Sequence, residues 1–332
     1  MSRSIAIFYE QQHWFKPLFA ELDRRGTPYM KIDATAHGYA IEEHPERRFS
    51  LVLNRMSPSA WNRGHGDCIF YTLGFLEHLE QRSVRVINGL RAFRTELSKA
   101  AQLSLLDSLE LPYPKARVIH RASQAVAAVH GLRWPIVVKP NIGGSGAGVR
   151  RFDSPEAREA AARAGELALG LDSTALVQEF IPARGSHIVR VEVLNGKFLY
   201  AIKVHITGET FDLCPADICR TTSGTELNRA ACPVDAPKTG LRVEGYEPPP
   251  DVIDDVERVM NHAGIELGGI EYIIDDRDGQ RLYYDINALS NFVADGLNVV
   301  GFDPFVKLVD WLESEAAEAD ARTEKLALAG AR

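Results

Sequence analysis

Residues 134–152 read WPIVVKPNIGGSGAGVRRF: an apolar strand-like run holding one lysine, Lys139, then four glycines within six residues, then a second run. Two familiar phosphate-binding patterns place glycines beside a strand, and neither fits. A P-loop puts its lysine after the glycines and leads straight into a helix; here Lys139 comes first and a strand follows. A dinucleotide fingerprint needs glycines at offsets 0, 2 and 5, and although Gly144 and Gly146 suit the first two, the third position is Val149. What remains is a hairpin whose backbone N–H groups close over a polyphosphate, glycine permitting the positive φ and the close approach. Lys139 would neutralise the same phosphates from the preceding strand. An ordinary glycine hairpin with a solvated lysine is the alternative for this stretch alone.

A second polar set lies downstream. In GGIEYIIDDRDGQRLYYDIN (268–287) two strand-like runs flank a turn at Asp276 to Gly279. Asp285 and Asn287 share one face of their strand by the period-two rule, and Glu271 on the partner strand can point the same way. Two carboxylates and an amide are hard oxygen ligands suited to Mg²⁺ that takes its other ligands from water and nucleotide phosphates. Ile270, Ile286 and Tyr284 surround them with apolar bulk, where unpaired carboxylates are costly.

Around these two stretches the chain alternates strand and helix at its start: SIAIFY, WFKPLFAELDRRG, YMKI, FSLVLNR, CIFYTLGFLEHLEQR and VRVIN. That order predicts a parallel sheet with helices on its faces, an α/β lobe over residues 1–92. TELSKAAQLSLLDSLELPYPKARVI predicts a helix, a Pro-Tyr-Pro turn and a strand; SQAVAAVHG predicts a helix capped by Ser123 and stopped at Gly131. A helix from Pro155, capped by Asp153 or Ser154, precedes the strand TALVQEFI, which closes a second lobe at 93–184. Asn195-Gly196 marks a tight hairpin opening a third lobe at 185–313. FDPFVKLVDWLES is the last helix, and the Ala/Glu-rich remainder, 314–332, reads as a frayed helix or solvated tail.

With 38 Lys and Arg against 45 Asp and Glu, the net charge of −7 argues against nucleic acid or an anionic membrane as the main partner. No apolar run approaches a membrane span and the N-terminus has no signal-peptide pattern, so a cytoplasmic protein is expected. Cys68, Cys214, Cys219 and Cys232 include no CxxC pair, which favours free thiols over a zinc site. The composition leaves room for a homo-oligomer.

Taken in order, these residues resemble the ATP-grasp superfamily, from Leu97 to about Trp311. The nearest branch is the peptide-ligase type, similar to glutathione synthetase and the ribosomal-protein glutamate ligases. The resemblance implies a pre-ATP-grasp, Rossmann-like parallel-sheet lobe followed by an α+β ATP-grasp fold holding nucleotide between two lobes. It implies that Lys99 and Lys139 contact nucleotide, that the loop Gly143, Gly144, Ser145, Gly146 and Gly148 covers its phosphates, and that Gln178, Glu179, Phe180 and Ile181 form the adenine-contacting hinge. His187 falls near the ribose position, where the family is often acidic. Glu271, Asp285 and Asn287 take the metal positions, Asp285 standing where many members have glutamate. NALSNFVADG replaces the Ser-Pro-Gly-like loop that shapes the family's substrate pocket.

The chemistry implied is ATP-dependent joining of a carboxylate to an amine through an acyl phosphate, with Mg²⁺ (or Mn²⁺) as the metal and an amino acid, peptide or small carboxylate as substrate. An arginine suits the reacting carboxylate because its planar fork matches it. Arg190 leads, ahead of Lys203 and Arg220; Arg55 suits either substrate or a plain structural role. A small-molecule kinase and a non-catalytic ATP-binding module are the competing readings. The kinase would want a strongly basic acceptor pocket, and the module has no need of lysines, loop and metal set together.

Overall fold

The computed structural model describes residues 3–144, 146–206 and 242–330. Ser145, Cys214, Cys219, Arg220 and Cys232 lie outside them. Three sheets organise the chain. The first is parallel, ordered β2-β1-β3-β4, from β1 (Ser4–Tyr9), β2 (Tyr29–Asp33), β3 (Phe49–Arg55) and β4 (Val86–Ile87). Helices α1 (Lys16–Arg25) and α2 (Gly66–Gln81) cross between its strands. Because β3 is buried on both faces, its centre, Leu51, Val52 and Leu53, is apolar without alternation.

Helix α3 (Leu90–Leu97) ends at Ser98, whose extended backbone breaks the helix and whose hydroxyl accepts from the Ala101 N–H at 3.1 Å. That cap starts α4 (Lys99–Ser108) and sets Lys99 at its first turn. The second sheet is antiparallel, ordered β5-β8-β6-β7, from β5 (Ala116–Ile119), β6 (Ile136–Pro140), β7 (Arg150–Phe152) and β8 (Ala175–Glu179). The segment expected to be a helix from Ser123 is instead a 3₁₀ turn, Ala122–Gln124, and a one-turn helix α5 (Ala125–Ala128). No side chain caps α5; the Gln124 side-chain oxygen instead reaches back to accept from the His120 and Arg121 N–H groups ahead of the 3₁₀ turn. Ser154 caps α6 (Pro155–Arg163), as the Ser-Pro pair predicts.

The third sheet is antiparallel, ordered β11-β10-β9-β12-β13. Its strands are β9 (His187–Leu194), β10 (Lys197–His205), β11 (Val243–Tyr246), β12 (Leu267–Ile274) and β13 (Arg281–Asn287). Asn195 and Gly196 turn β9 into β10 with φ of 54° and 66°, the positive-φ pair a tight hairpin demands. One face, carrying Val189, Val191, Val193 and Ile270, packs on the helix Pro250–Ala263 through Val252, Val256 and Val259. The other face, through Ile188, Ile202 and Tyr284, joins one core with Ile5, Ile7, Leu51 and Leu53 of the first sheet.

That shared core also holds Leu308, Val309 and Leu312 of the last helix, Pro304–Gly330. The helix therefore does not end before the Ala/Glu-rich stretch, and the tail reading is corrected: Ala319 is buried, and Asp320 takes the Arg3 guanidinium. Arg25 reaches Asp310 and Glu313 on the same helix. Long-range packing, invisible to local composition, orders these residues. No helix among the described residues is long and apolar enough to cross a membrane.

Candidate active site

Three adjacent strands of the large sheet, β9, β12 and the edge strand β13, place a row of polar side chains on one face. By register, Arg190 on β9 lies opposite Glu271 on β12, and Glu271 opposite Asp285 on β13. One step along, Glu192 lies opposite Gly269, and Gly269 opposite Asn287. The expectation that Glu271, Asp285 and Asn287 share a face holds in this register. A bulge follows at Glu271 and Tyr272, and it turns Tyr284 toward the same side, where its hydroxyl donates to Glu271 Oε2 at 2.7 Å.

The oxygens of this row are held by cations. Lys99 Nζ donates to Asp285 Oδ1 at 2.5 Å and Asn287 Nδ2 to Asp285 Oδ2 at 3.0 Å. Arg190 donates to Glu192 at 2.6 Å, to Glu271 at 3.3 Å and to the Ser290 hydroxyl at 2.7 Å. Burial pushes the Glu271 carboxyl up, against the pull of Arg190. For Asp285 burial pushes up too, but Lys99 and, further off, Lys139 outweigh it and hold the group below the usual aspartate range.

Two struts that local sequence does not announce bring the lysines there. Gln102, one turn after Lys99, donates to the Ile286 carbonyl at 2.9 Å and accepts from its N–H at 3.2 Å, clamping α4 to β13. Asn141, just past Lys139, accepts from the Ala100 N–H and the Ser98 hydroxyl through Oδ1 and donates to Asp172. It ties the start of α4 to the end of β6, so both lysines face one carboxylate. Glu96 on α3 completes the support. Its Oε1 accepts from the Leu289 N–H, and burial pushes its carboxyl to about 8.

A buried acid whose folded pKa exceeds its unfolded value binds protons more tightly when folded, so stability falls as pH rises between the two. Glu96 covers the window from about 4.5 to about 8. The wild-type melting temperature should accordingly fall between pH 5 and pH 8, and Glu96→Gln should flatten that fall. Equal slopes in the two proteins would show that Glu96 is not the group responsible.

The glycine loop folds back against the first lobe. Asn62 Nδ2 donates to the Gly144 carbonyl at 3.2 Å, and a Cβ at Gly144 would lie 2.8 Å from Ser59 Cβ. Gly146 and Gly148 have φ of 67° and 73°, and a Cβ at Gly148 would meet Pro140 Cγ at 2.8 Å. Lys139 is buried beside them. Strain at such a position costs about 1–3 kcal/mol. Gly148→Ala should therefore weaken Mg-ATP binding about tenfold or more in calorimetric titration, and so should the pair Gly144→Ala with Gly146→Ala. Unchanged affinity in both would make the loop an ordinary hairpin.

Residues 97–211 match the RimK-like ATP-grasp domain family. In structure, the ATP-grasp ligase PsnB, complexed with a phosphomimetic variant of minimal precursor, Mg and ADP, is similar with a TM-score of 0.64 at 19% identity, over 95% of this chain and 99% of that one. This chain has an ATP-grasp fold. In sequence it is similar to the D-alanine–D-alanine ligase of Geobacter sulfurreducens, 28% identical over 125 residues, 38% of each chain. It is also similar to a probable alpha-L-glutamate ligase of Marinomonas sp., 26% identical over 176 residues, 53% of this chain and 55% of that one. The chain thus spans about half, or less, of the length of these curated relatives.

Within the ATP-grasp fold the remaining sequence-predicted residues separate. The Gln178 and Glu179 side chains are buried struts: Gln178 donates to the Pro114 carbonyl at 3.5 Å, and Glu179 accepts from the Arg133 N–H and Nε. Phe180 lies under the Arg151 guanidinium at 4.4 Å, and Ile181 enters the main core. His187 opens β9, its ring 5.6 Å from that of His205. Lys203 does not join the polar row. Its register partners are Val189 and Glu244, whereas Arg190 lies opposite Ile202, so Lys203 stands on the other sheet face, over the Tyr246 ring at 4.6 Å.

Arg55 is buried and donates to the carbonyls of Ala288 and Ser290, a strut that holds the loop after β13 against the first sheet. Glu192 and Ser290 join the site without having been singled out in the sequence. Glu192 was legible in principle, two residues after Arg190 and so on its face; Ser290, in a loop without periodicity, was not.

Proposed function

We propose that the protein is an ATP-dependent carboxylate–amine ligase that activates its carboxylate as an acyl phosphate and releases ADP and phosphate. The observation that carries this reading is the convergence of Lys99 and Lys139 on Asp285, in one row with Glu271, Asn287 and Arg190. The similarity of the sequence to amino-acid ligases, and of the fold to a ligase complexed with Mg and ADP, supports the same class.

The donor set suits a hard cation. Glu271 and Asp285 offer carboxylate oxygens and Asn287 an amide oxygen, the type and number that Mg²⁺ takes from protein when nucleotide supplies the rest. Bound there, the ion would neutralise phosphate charge and orient the γ-phosphoryl group. The chain's own residues do the rest. Lys99, now bonded to Asp285, and Lys139 on β6 would hold nucleotide phosphates. The backbone at Gly143, Gly144, Gly146 and Gly148 would cover them and exclude water. Arg190, already oriented by Glu192 and Ser290, presents its fork to the reacting carboxylate.

The test is ADP and phosphate release with Mg-ATP against a panel of amino acids, dipeptides and small carboxylates. Release that requires both a carboxylate and an amine, with an amide as product, supports the ligase. A phosphorylated hydroxyl product selects a kinase instead. Binding of Mg-ATP with no turnover on any acceptor leaves a binding module.

A further inference from the structure

We infer that Glu192 receives the ammonium group of the amine substrate, so that the second substrate is an amino acid or a peptide N-terminus bound as a cation. The inference rests on the ligase reading above and adds to it the residue that selects the nucleophile.

Glu192 is buried to 1% exposure on the polar face of the large sheet, one rung from the metal set. Its two oxygens differ. Oε1 accepts from Arg190 Nε at 2.6 Å and from the Ser290 hydroxyl at 2.5 Å. Oε2 is fully buried without a hydrogen-bond partner. A buried carboxylate oxygen left unmatched is costly, and the costs are met when a donor from a ligand completes it.

The position of that oxygen follows from the missing side chain at Gly269. A Cβ built there would stand 3.0 Å from Cδ, Oε1 and Oε2 of Glu192 alike, so the carboxylate lies flat over the Gly269 backbone. Gly269 lies between Glu192 and Asn287 in the register, so the Glu192 carboxylate, its unpartnered Oε2 included, lies over β12 between β9 and β13. An ammonium held at Oε2 would lie next to a carboxylate held by Arg190. It would give one proton to the Glu192 carboxylate, and the freed nitrogen lone pair would then attack the acyl carbon as phosphate leaves. A buried anion favours a charged donor over a neutral one, which selects an ammonium.

The experiment separates the two half-reactions. Using a carboxylate that supports ADP release, hydroxylamine, largely uncharged at neutral pH, traps the acyl phosphate as a hydroxamate. The standard amino acids, supplied together, test the amine step. Glu192→Gln, whose amide oxygen can still accept from Arg190, should raise KM for the amine about tenfold or more and lower hydroxamate formation by a clearly smaller factor. Glu192→Asp, which keeps the charge, should restore part of that loss. Gly269→Ala, which displaces the carboxylate, should behave like Glu192→Gln in the amine step.

Equal losses in both half-reactions would overturn the inference and make Glu192 a positioning residue for Arg190. An unchanged amine KM in a folded Glu192→Gln protein would overturn it outright. If the wild type yields no hydroxamate with any carboxylate, the ligase reading fails first and this inference falls with it.

Discussion

Asp285→Asn should lower ADP formation about a thousandfold while leaving the fold intact. The side chain keeps its shape but loses the charge that Lys99 and Lys139 hold below the usual aspartate range. Removing one preorganised contact to the developing charge of a transition state typically costs 10²–10³ in rate, and the metal-binding role proposed for Asp285 puts it at the upper end of that range. The folding cost stays small. The lost ion pair leaves the Lys99 ammonium at the edge of the site, where its side chain is 17% exposed, and asparagine still offers it an acceptor. Retention of a tenth or more of the wild-type rate would mean that the metal is held elsewhere. Because Asp285 titrates below its ordinary range, its contribution is present through neutral pH and is lost only as pH falls through that lowered value.

The largest stability effect is expected at Arg190. The guanidinium is 4% exposed and is shared between Glu192 and Glu271, themselves 1% and 3% exposed. Removing the cation from a buried pair leaves an uncompensated charge, at a cost of about 3–5 kcal/mol. Here Arg190→Ala leaves two such carboxylates, with Ser290 and Tyr284 as their remaining donors. The variant should melt well below the wild type at pH 8 and recover part of the difference toward pH 5. The sign follows from protonation: without Arg190, burial raises the Glu271 carboxyl further above its unfolded value, so the penalty grows with rising pH and is relieved by acid. A melting temperature equal to the wild type's at pH 8 would show that water, not Arg190, compensates the site. A deficit that does not change with pH would instead point to lost packing.

Much of this architecture was legible because its causes are local. The Asn195-Gly196 turn, the Ser154-Pro155 helix start and the shared face of Asp285 and Asn287 each follow from rules that span two to four residues. The glycine loop was separated from two other phosphate loops by the order of its residues alone. The short α5 was misjudged because the Gln124 side chain reaches back to the His120 and Arg121 N–H groups and holds a 3₁₀ turn there, a local competition that single-residue preferences do not decide.

By itself, then, the sequence determined most of the elements, the shared face of Asp285 and Asn287, and the ATP-grasp resemblance that the fold bears out. Tertiary structure decided which chemistry-bearing side chains meet. Register across β9, β12 and β13 joined Glu192 and Arg190 to Glu271 and Asp285, and the same register sent Lys203 to the opposite face. Asn141 and Gln102 brought Lys99 to a carboxylate 186 positions away, and Arg55 became a strut rather than a free cation for substrate. The Ala/Glu-rich end became an ordered helix because Ala319 and Asp320 found partners on the first lobe. The physical reason is range: propensity, capping and alternation act over one turn or one strand, whereas burial and ion pairing are settled only when distant segments share one core.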